Sequence, residues 1–104
     1  MVQRFFKNEV GYEDWFSKNP EGLVLNVYEE NVTTDKLHLA NCFHLRAEGE
    51  EGRRTNSYEK VCSDSAEELM VEATRIGIKR NKVWAWCPHC KKKFDEKAAR
   101  FLKL

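Results

Sequence analysis

The side chains best suited to metal chemistry lie in two groups far apart in the sequence. Near the C-terminus, Cys87 and Cys90 belong to a Cys-Pro-His-Cys run, and two intervening residues let both thiolates face one ion. A tetrahedral zinc ion needs four ligands at about 2.0–2.3 Å, so a second pair must come from elsewhere. His38 and Cys42, with three residues between them, supply that pair. The predicted zinc ligands are therefore His38, Cys42, Cys87 and Cys90.

Three other side chains compete for the position given to His38. Cys62 lies between Val61 and Ser63 at the end of a predicted strand and is more typical of core packing, because free cysteines are commonly buried. His44 follows Cys42 by only two residues, which makes ligation by both awkward. His89 lies between the two late cysteines and is predicted to point away from the ion. Without a metal, Cys42 is a buried apolar cysteine and His38 a hydrogen-bonded strand residue.

The late cysteine pair also permits a redox interpretation. The Trp-Cys-Pro-His-Cys-Lys run resembles the active site of thioredoxin-fold oxidoreductases, where a CxxC at a helix N-terminus has a lowered thiol pKa. That fold needs more strands and a helix after the motif, and a cis-proline facing the cysteines. Only 14 residues follow Cys90, and the other proline is Pro20. Thiol–disulfide exchange is therefore the less favoured hypothesis.

Hydrophobic alternation predicts the strands that must position these ligands. The predicted strands are residues 23–28, 36–40, 57–62 and 83–86. The first two form a hairpin, in which His38 alternates with Leu37 and Leu39. We therefore expect His38 on the sheet face opposite these two leucines.

Helical spacing and capping signals predict two to three short helices. Residues 11–18 carry an apolar stripe, and Ser65 with Glu68 forms a capping box that opens a second helix. Gly77 is the predicted C-terminal stop of that helix. Asp95 is predicted to cap a last helix, whose inward-facing residues are Ala98, Phe101 and Leu102.

Length and composition indicate one α+β domain over residues 1–104, with a small antiparallel sheet made of the hairpin and one or two further strands. An apolar fraction of 41% excludes gross disorder. A chain of this size buries about 60–70% of its extended surface, so one structural zinc ion would contribute to stability. No apolar run reaches the roughly 18 residues of a membrane span, and residues 1–20 lack a signal-peptide core. We expect a cytoplasmic protein whose cysteines are thiols or metal ligands.

The near-neutral net charge conceals an uneven distribution. Residues 1–74 hold 8 basic and 15 acidic side chains, whereas residues 75–104 hold 10 basic and 2 acidic ones. Two basic runs flank the last predicted strand, and a zinc ion would hold them near each other. The predicted nucleic-acid-binding residues are Lys79, Arg80, Lys82, Lys91, Lys92 and Lys93.

The order of the ligands suggests a relationship. From His38 onward the chain has HxxxC, a strand, a Ser-capped helix and CxxC, which is similar to the zinc-binding module of Ada-type DNA repair proteins. That module has CxxxC before CxxC, binds zinc through four cysteines, contacts the DNA backbone and accepts a methyl group on one thiolate. The resemblance implies Cys42, Cys87 and Cys90 as metal ligands. His38 replaces the methyl-accepting cysteine, so repair activity is not implied.

A second resemblance concerns the first half of the chain. Residues 19–26, Asn-Pro-Glu-Gly-Leu-Val-Leu-Asn, and residues 37–42, Leu-His-Leu-Ala-Asn-Cys, look like a family of small bacterial zinc-ribbon-like domains of unassigned function. This likeness implies a fold and no activity.

Taken together, these features favour a zinc-stabilised module that binds DNA or RNA through a basic C-terminal face. The alternative is a protein-interaction or accessory module that uses the acidic half or the polar loop at residues 46–56. Catalysis is not expected, because three sulfurs and an imidazole fill a tetrahedral ion and leave no position for water. No membrane partner is predicted.

Overall fold

The computed structural model describes the backbone of residues 1–101 and the side chains of residues 1–99. Within these residues five strands form one sheet, and three helices pack around it. In chain order the elements are β1 (Gln3–Phe5), α1 (Glu9–Lys18), β2 (Leu23–Val27), β3 (Thr34–Leu39), β4 (Glu59–Ser63), α2 (Ala66–Arg80), β5 (Val83–Trp86) and α3 (Pro88–Phe101). The predicted α+β class is confirmed.

The strand order is β1-β4-β2-β3-β5. β2 pairs antiparallel with β3, as the predicted hairpin requires, and also with β4, which in turn pairs antiparallel with β1. β3 and β5 are parallel neighbours. Parallel strands need a long crossover connection, and α2 supplies it by returning the chain from β4 to the far edge. The sheet is therefore larger than predicted, and it is not wholly antiparallel.

The two faces of the sheet bury different partners. Leu25 and Leu37 point toward α2 and pack against its buried Leu69. Val24 and His38 pair with each other on the opposite face, which is covered by α1 and by the chain that follows β3. The predicted position of His38, opposite the strand leucines, is confirmed.

Helix α2 begins as predicted and ends later than predicted. The Ser65 hydroxyl accepts a hydrogen bond from the Glu68 amide at 3.2 Å. Gly77 lies inside the helix. A Cβ atom at this position would lie 2.6 Å from the carbonyl oxygen of Lys82, so the close approach of the chain requires glycine here. The stop is Asn81, whose φ of 57° is left-handed. The glycine thus allows close packing and does not end the helix.

Helix α3 begins seven residues before the predicted cap. Pro88 takes its first position, where the missing N–H costs nothing and the fixed φ suits a helix. Asp95 lies within the helix and pairs with Lys91 at 2.6 Å. Of the predicted inward-facing residues, Ala98 is half-buried. The side chain of Phe101 and the whole of Leu102 lie outside the described residues. Within those residues, no helix is long and apolar enough to span a bilayer.

Candidate metal centre

The parallel pairing of β3 with β5 brings the two halves of the predicted site together. Leu37 pairs with Trp86, so the following residues, His38 and Cys87, are neighbours at the same edge of the sheet. The Cys87 amide continues the ladder by donating to the Leu37 carbonyl at 2.9 Å. The turn after β3 then presents Cys42 toward the same point. The parallel direction of β5 relative to β3 therefore positions the site. The sequence pattern does not reveal this direction.

A turn adds His44 to this group. The Cys42 carbonyl accepts hydrogen bonds from the amides of Leu45 at 2.9 Å and Arg46 at 3.1 Å, which folds the chain back on itself. As a result, His44 Nδ1 lies 3.5 Å from Cys42 Sγ and 3.7 Å from Cys87 Sγ. The turn therefore brings the His44 ring beside Cys42 although only one residue lies between them.

Four donor atoms lie within 4.8 Å of one another, one each from His38, Cys42, His44 and Cys87. Cys90 lies beside this set, with its Sγ 4.0 Å from His38 Nδ1. A tetrahedral ion with ligand distances of about 2.0–2.3 Å has ligand–ligand edges of about 3.3–3.8 Å. The distances from His44 Nδ1 to the two sulfurs match those edges, and the distance from Cys90 Sγ to His38 Nδ1 is slightly longer. The group therefore offers nitrogen and sulfur donors at a spacing close to that of a tetrahedral ion.

His38 is in the protonation state that metal binding needs. Its pKa is lowered to about 4, first by burial and then by electrostatic interaction with His44, Lys60 and Lys36. The imidazole is therefore neutral at neutral pH and offers a lone pair. Among the described residues, the hydrogen-bond partner of this buried ring is the Cys90 sulfur.

The two late cysteines have different acidities. Burial raises the pKa of Cys87, but the amides of Cys90 and His89 and the thiols of Cys90 and Cys42 together lower it below the ordinary value. Cys87 also directly precedes α3, and a helix N-terminus favours a thiolate. Burial, with the neighbouring thiols of Cys42 and Cys87, raises the pKa of Cys90 to about 12. Cys87 is therefore the more acidic of the two thiols.

The two other candidate ligands, Cys62 and His89, lie apart from the four donor atoms. Val24 pairs with His38 on one side and with Cys62 on the other, so a strand separates these two side chains. Cys62 is fully buried in the core, and burial strongly raises its pKa. His89 is exposed, and its ring centroid lies 4.9 Å from that of Phe43. Neither side chain belongs to the donor set.

The predicted basic surface is only partly exposed. Lys79 and Arg80 are exposed at the end of α2, and three lysines are exposed at the start of α3. Lys82 is buried, with its Nζ 2.6 Å from the Asp35 carboxylate and 2.8 Å from the Tyr28 carbonyl, so its assignment to a nucleic-acid surface is wrong. Between the two runs the chain forms β5, whose four residues span about 13 Å at about 3.3 Å per residue.

Comparison of the chain with known protein families, with curated proteins and with solved structures gives no match. These comparisons therefore do not show that the chain belongs to the Ada-type module or to the zinc-ribbon-like family. What the structure does show is a group of histidine and cysteine side chains that can hold a metal ion.

Proposed function

We propose that the chain is a structural zinc-binding module. The proposed ligands are His38, Cys42, Cys87 and Cys90. The observation that carries the proposal is the convergence of the HxxxC segment after β3 with the CPHC segment after β5. Imidazole and thiolate donors in tetrahedral arrangement suit zinc better than hard cations such as magnesium or calcium, which prefer oxygen.

In this proposal His44 supports the site without ligating the ion. Three thiolates exceed the charge of a zinc ion by one, so a hydrogen-bond donor beside the sulfurs is favourable. His44 Nδ1 lies within hydrogen-bonding distance of the sulfurs of Cys42 and Cys87. It is also the exposed member of the group, so this edge of the site faces solvent.

A filled tetrahedral site leaves no position for a reacting water, which supports a structural role for the metal. The proposed ion would join the end of β3 to the end of β5 and the start of α3. β5 is an edge strand that pairs with β3 alone. The metal would therefore stabilise one edge of the sheet.

Metal analysis of purified variants tests the proposal. The wild-type protein is expected to hold one zinc ion per chain, and Cys42→Ser to lose it. Cys62→Ser is the matched control, because Cys62 is equally buried in the same core cluster but lies outside the donor set. Circular dichroism establishes that each variant is folded. Loss of zinc from both variants, or its absence from the wild type, would contradict the proposal.

Nucleic-acid binding is the second candidate function, and the observation that favours it is the exposed start of α3. Lys92 and Lys93 are exposed, and no acidic side chain of the described residues lies within 4.0 Å of them. A DNA or RNA backbone would supply the missing negative charge. Fluorescence anisotropy with duplex and single-stranded probes tests this, and the log-log salt slope should be about −0.9 per phosphate contacted on duplex DNA. Absence of binding at low salt would exclude it.

One observation favours the redox alternative as well. Cys87 follows a strand and precedes a helix, and its pKa is lowered against the effect of burial by two amides and two thiols. A reductase assay on the zinc-loaded and zinc-free protein distinguishes the two roles. If the metal is structural, neither form will reduce an insulin disulfide at a catalytic rate.

The protein-interaction alternative rests on the loop at residues 46–56. This loop is tied to α1, since Arg46 forms a two-fold hydrogen bond with Glu13 and the amides of Gly52 and Arg54 donate to Glu9. These contacts make the loop a fixed surface, which suits a partner that binds a preformed shape.

A further inference from the structure

A cleft of about 420 Å³ lies next to the metal centre, between the sheet and the loop that follows β3. Residues of β2 and β4 form one wall, and the loop forms the other. The residues that line it include Asn26, Tyr28, His44, Arg54, Tyr58 and Lys60. His44 therefore faces both the donor group and the cleft.

Lys60 brings a buried positive charge to this cleft. The residue is only 5% exposed, and its Nζ donates to the side-chain oxygen of Asn26. Among the described residues, no carboxylate lies within 4.0 Å of this ammonium group. Lys82, which is buried to a similar extent, has the Asp35 carboxylate at 2.6 Å. The chain thus neutralises one buried lysine and leaves the other without an acidic partner.

The pKa of Lys60 agrees with the absence of a nearby carboxylate among the described residues. Burial lowers the pKa of Lys60 to about 8, although Cys62, Glu9 and Glu50 act in the opposite direction. A buried charge is costly unless it is paired. An external anion at the Lys60 ammonium would supply the missing pair.

Arg54 adds a second donor that lacks an acceptor. Its side chain is 8% exposed, and its Nε has no hydrogen-bond partner in the described part of the chain. Its Nη1 lies 3.6 Å from a Glu13 oxygen and 4.0 Å from a Glu9 oxygen, and its Nη2 donates to the Ala47 carbonyl at 3.4 Å. These contacts hold the guanidinium in place, while the Nε–H stays unused. Buried donors are normally satisfied, and two incompletely satisfied cationic groups lining one cleft indicate an acceptor from outside the chain.

The wall beside Lys60 is aromatic. The rings of Tyr28 and Tyr58 meet edge to face with centroids 4.9 Å apart, and Lys60 Nζ lies 5.8 Å from the Tyr58 ring centroid. Glu50 also lines the cleft, but it pairs with Arg53 at 3.7 Å. The cleft therefore combines the buried charge of Lys60, unpaired among the described residues, with a flat surface against which a ring can pack.

We propose that this cleft binds a small anionic ligand, with a phosphate or carboxylate group at Lys60 and Arg54 and a planar ring against Tyr28 and Tyr58. The site is separate from the zinc ligands and needs no metal ion. A ligand bound there would lie beside His44, at the exposed edge of the metal centre.

Binding of three small probes to the purified full-length protein tests the proposal. Phenyl phosphate and benzoate carry the two candidate anions on the same ring, and benzamide is the neutral control. Titrations followed by NMR give the affinity and the amides that shift. We expect saturable binding of at least one anion with shifts around Asn26, Tyr58 and Lys60. The stronger of the two identifies the preferred anion.

Lys60→Met and Lys36→Met form a matched pair of variants. Both lysines pair with Asn26 from neighbouring strands, but Lys36 does not line the cleft. Loss of the buried charge should weaken anion binding about 30-fold or more. Lys36→Met should keep the wild-type affinity, and Lys60→Arg should restore part of what Lys60→Met loses. Zinc content is measured for each variant, so that damage to the metal centre is recognised.

Four outcomes would overturn the proposal. They are no saturable binding of either anion, equal binding of benzamide, equal loss in the two Met variants, and shifts away from the cleft. The mapping on the wild-type protein decides the matter even if Lys60→Met does not fold.

Discussion

His44 Nδ1 lies 3.5 Å from the sulfur of Cys42, the residue two positions before it. The contact depends on the turn in which the Cys42 carbonyl accepts two backbone hydrogen bonds. It places an exposed imidazole over an otherwise buried group of thiols. The metal centre is therefore open to solvent on one side, and that side is also a wall of the neighbouring cleft.

The first prediction separates the roles of His44 and Cys90. His44→Ala should keep one zinc ion per chain with an affinity lowered about 10- to 100-fold, as is typical when a supporting hydrogen bond is lost. Cys90→Ser should lose the ion, because it removes a ligand. Competition with a chromophoric chelator measures both affinities. The reverse pattern would make His44 the fourth ligand and Cys90 the supporting residue.

The second prediction concerns removal of the metal. Chelation should lower the free energy of unfolding by about 4 kcal/mol, relative to protein at free zinc 1,000 times its Kd. The core between the sheet and α2 contains no proposed ligand, so we expect that part to stay folded. Hydrogen exchange should accelerate at the amides of Cys42 and Cys87 and much less at those of Leu25 and Leu69. Uniform acceleration over the chain would show that the ion supports the whole domain.

The third prediction concerns pH. Burial lowers the pKa of Lys60 to about 8 from 10.5, so the folded protein releases this proton before the unfolded chain does. Below pH 8 Lys60 is protonated in both the folded and the unfolded state, so the free-energy cost of burying its charge lowers stability in full. This cost falls as the pH rises from 8 to 10.5. Lys60→Met lacks this cost and should be more stable than wild type at pH 7, by about 3 kcal/mol at 1.36 kcal/mol per pKa unit.

Urea unfolding of both proteins at several pH values measures this difference. Comparing wild type with Lys60→Met cancels the titration of groups that both proteins share. The stability advantage of the variant should shrink between pH 8 and 10.5. A constant advantage across this range would show that the pKa of Lys60 is not lowered in the folded protein.

Local patterns predicted the strands well, and they did not predict strand direction. Alternation in the hairpin placed His38 opposite the leucines, because a half-buried strand imposes a period of two. The pairing of β3 with β5 depends on contacts between residues more than 40 positions apart. No local signal states that this pair is parallel, although this pairing is what brings the predicted ligands together.

The differences between the predicted and the observed site have a common physical origin. Each prediction judged a residue from its neighbours in sequence, whereas its contacts depend on how the chain folds. The short spacing makes ligation by both Cys42 and His44 look awkward, but the turn at Cys42 brings the His44 ring beside the Cys42 sulfur. Asp95 is the predicted cap of the last helix, but the helix already begins at Pro88, because proline suits the first helical position. Lys82 belongs to a basic run, yet its partner is Asp35 on another strand. A count of charged residues along the sequence does not reveal ion pairs between side chains that are distant in sequence.

The fourth prediction tests the buried pair formed by Lys82 and Asp35. Asp35→Asn should lower the free energy of unfolding by about 3–5 kcal/mol, because it leaves the Lys82 ammonium buried without a counter-charge. The Asp35 carboxylate also accepts the Tyr28 amide at 3.0 Å, which fixes the end of β2. Urea denaturation measures the change.

The exposed pair of Lys18 and Asp14, 3.0 Å apart, is the matched control for this prediction. Asp14→Asn should change stability by less than about 1 kcal/mol, since water screens the pair. Replacing both buried partners by apolar residues, as in Asp35→Leu with Lys82→Met, should recover most of the loss, because no unpaired charge is then left inside. If the double variant is no more stable than Asp35→Asn, the hydrogen bonds to the Tyr28 amide and carbonyl, and not the charges, stabilise this corner of the sheet.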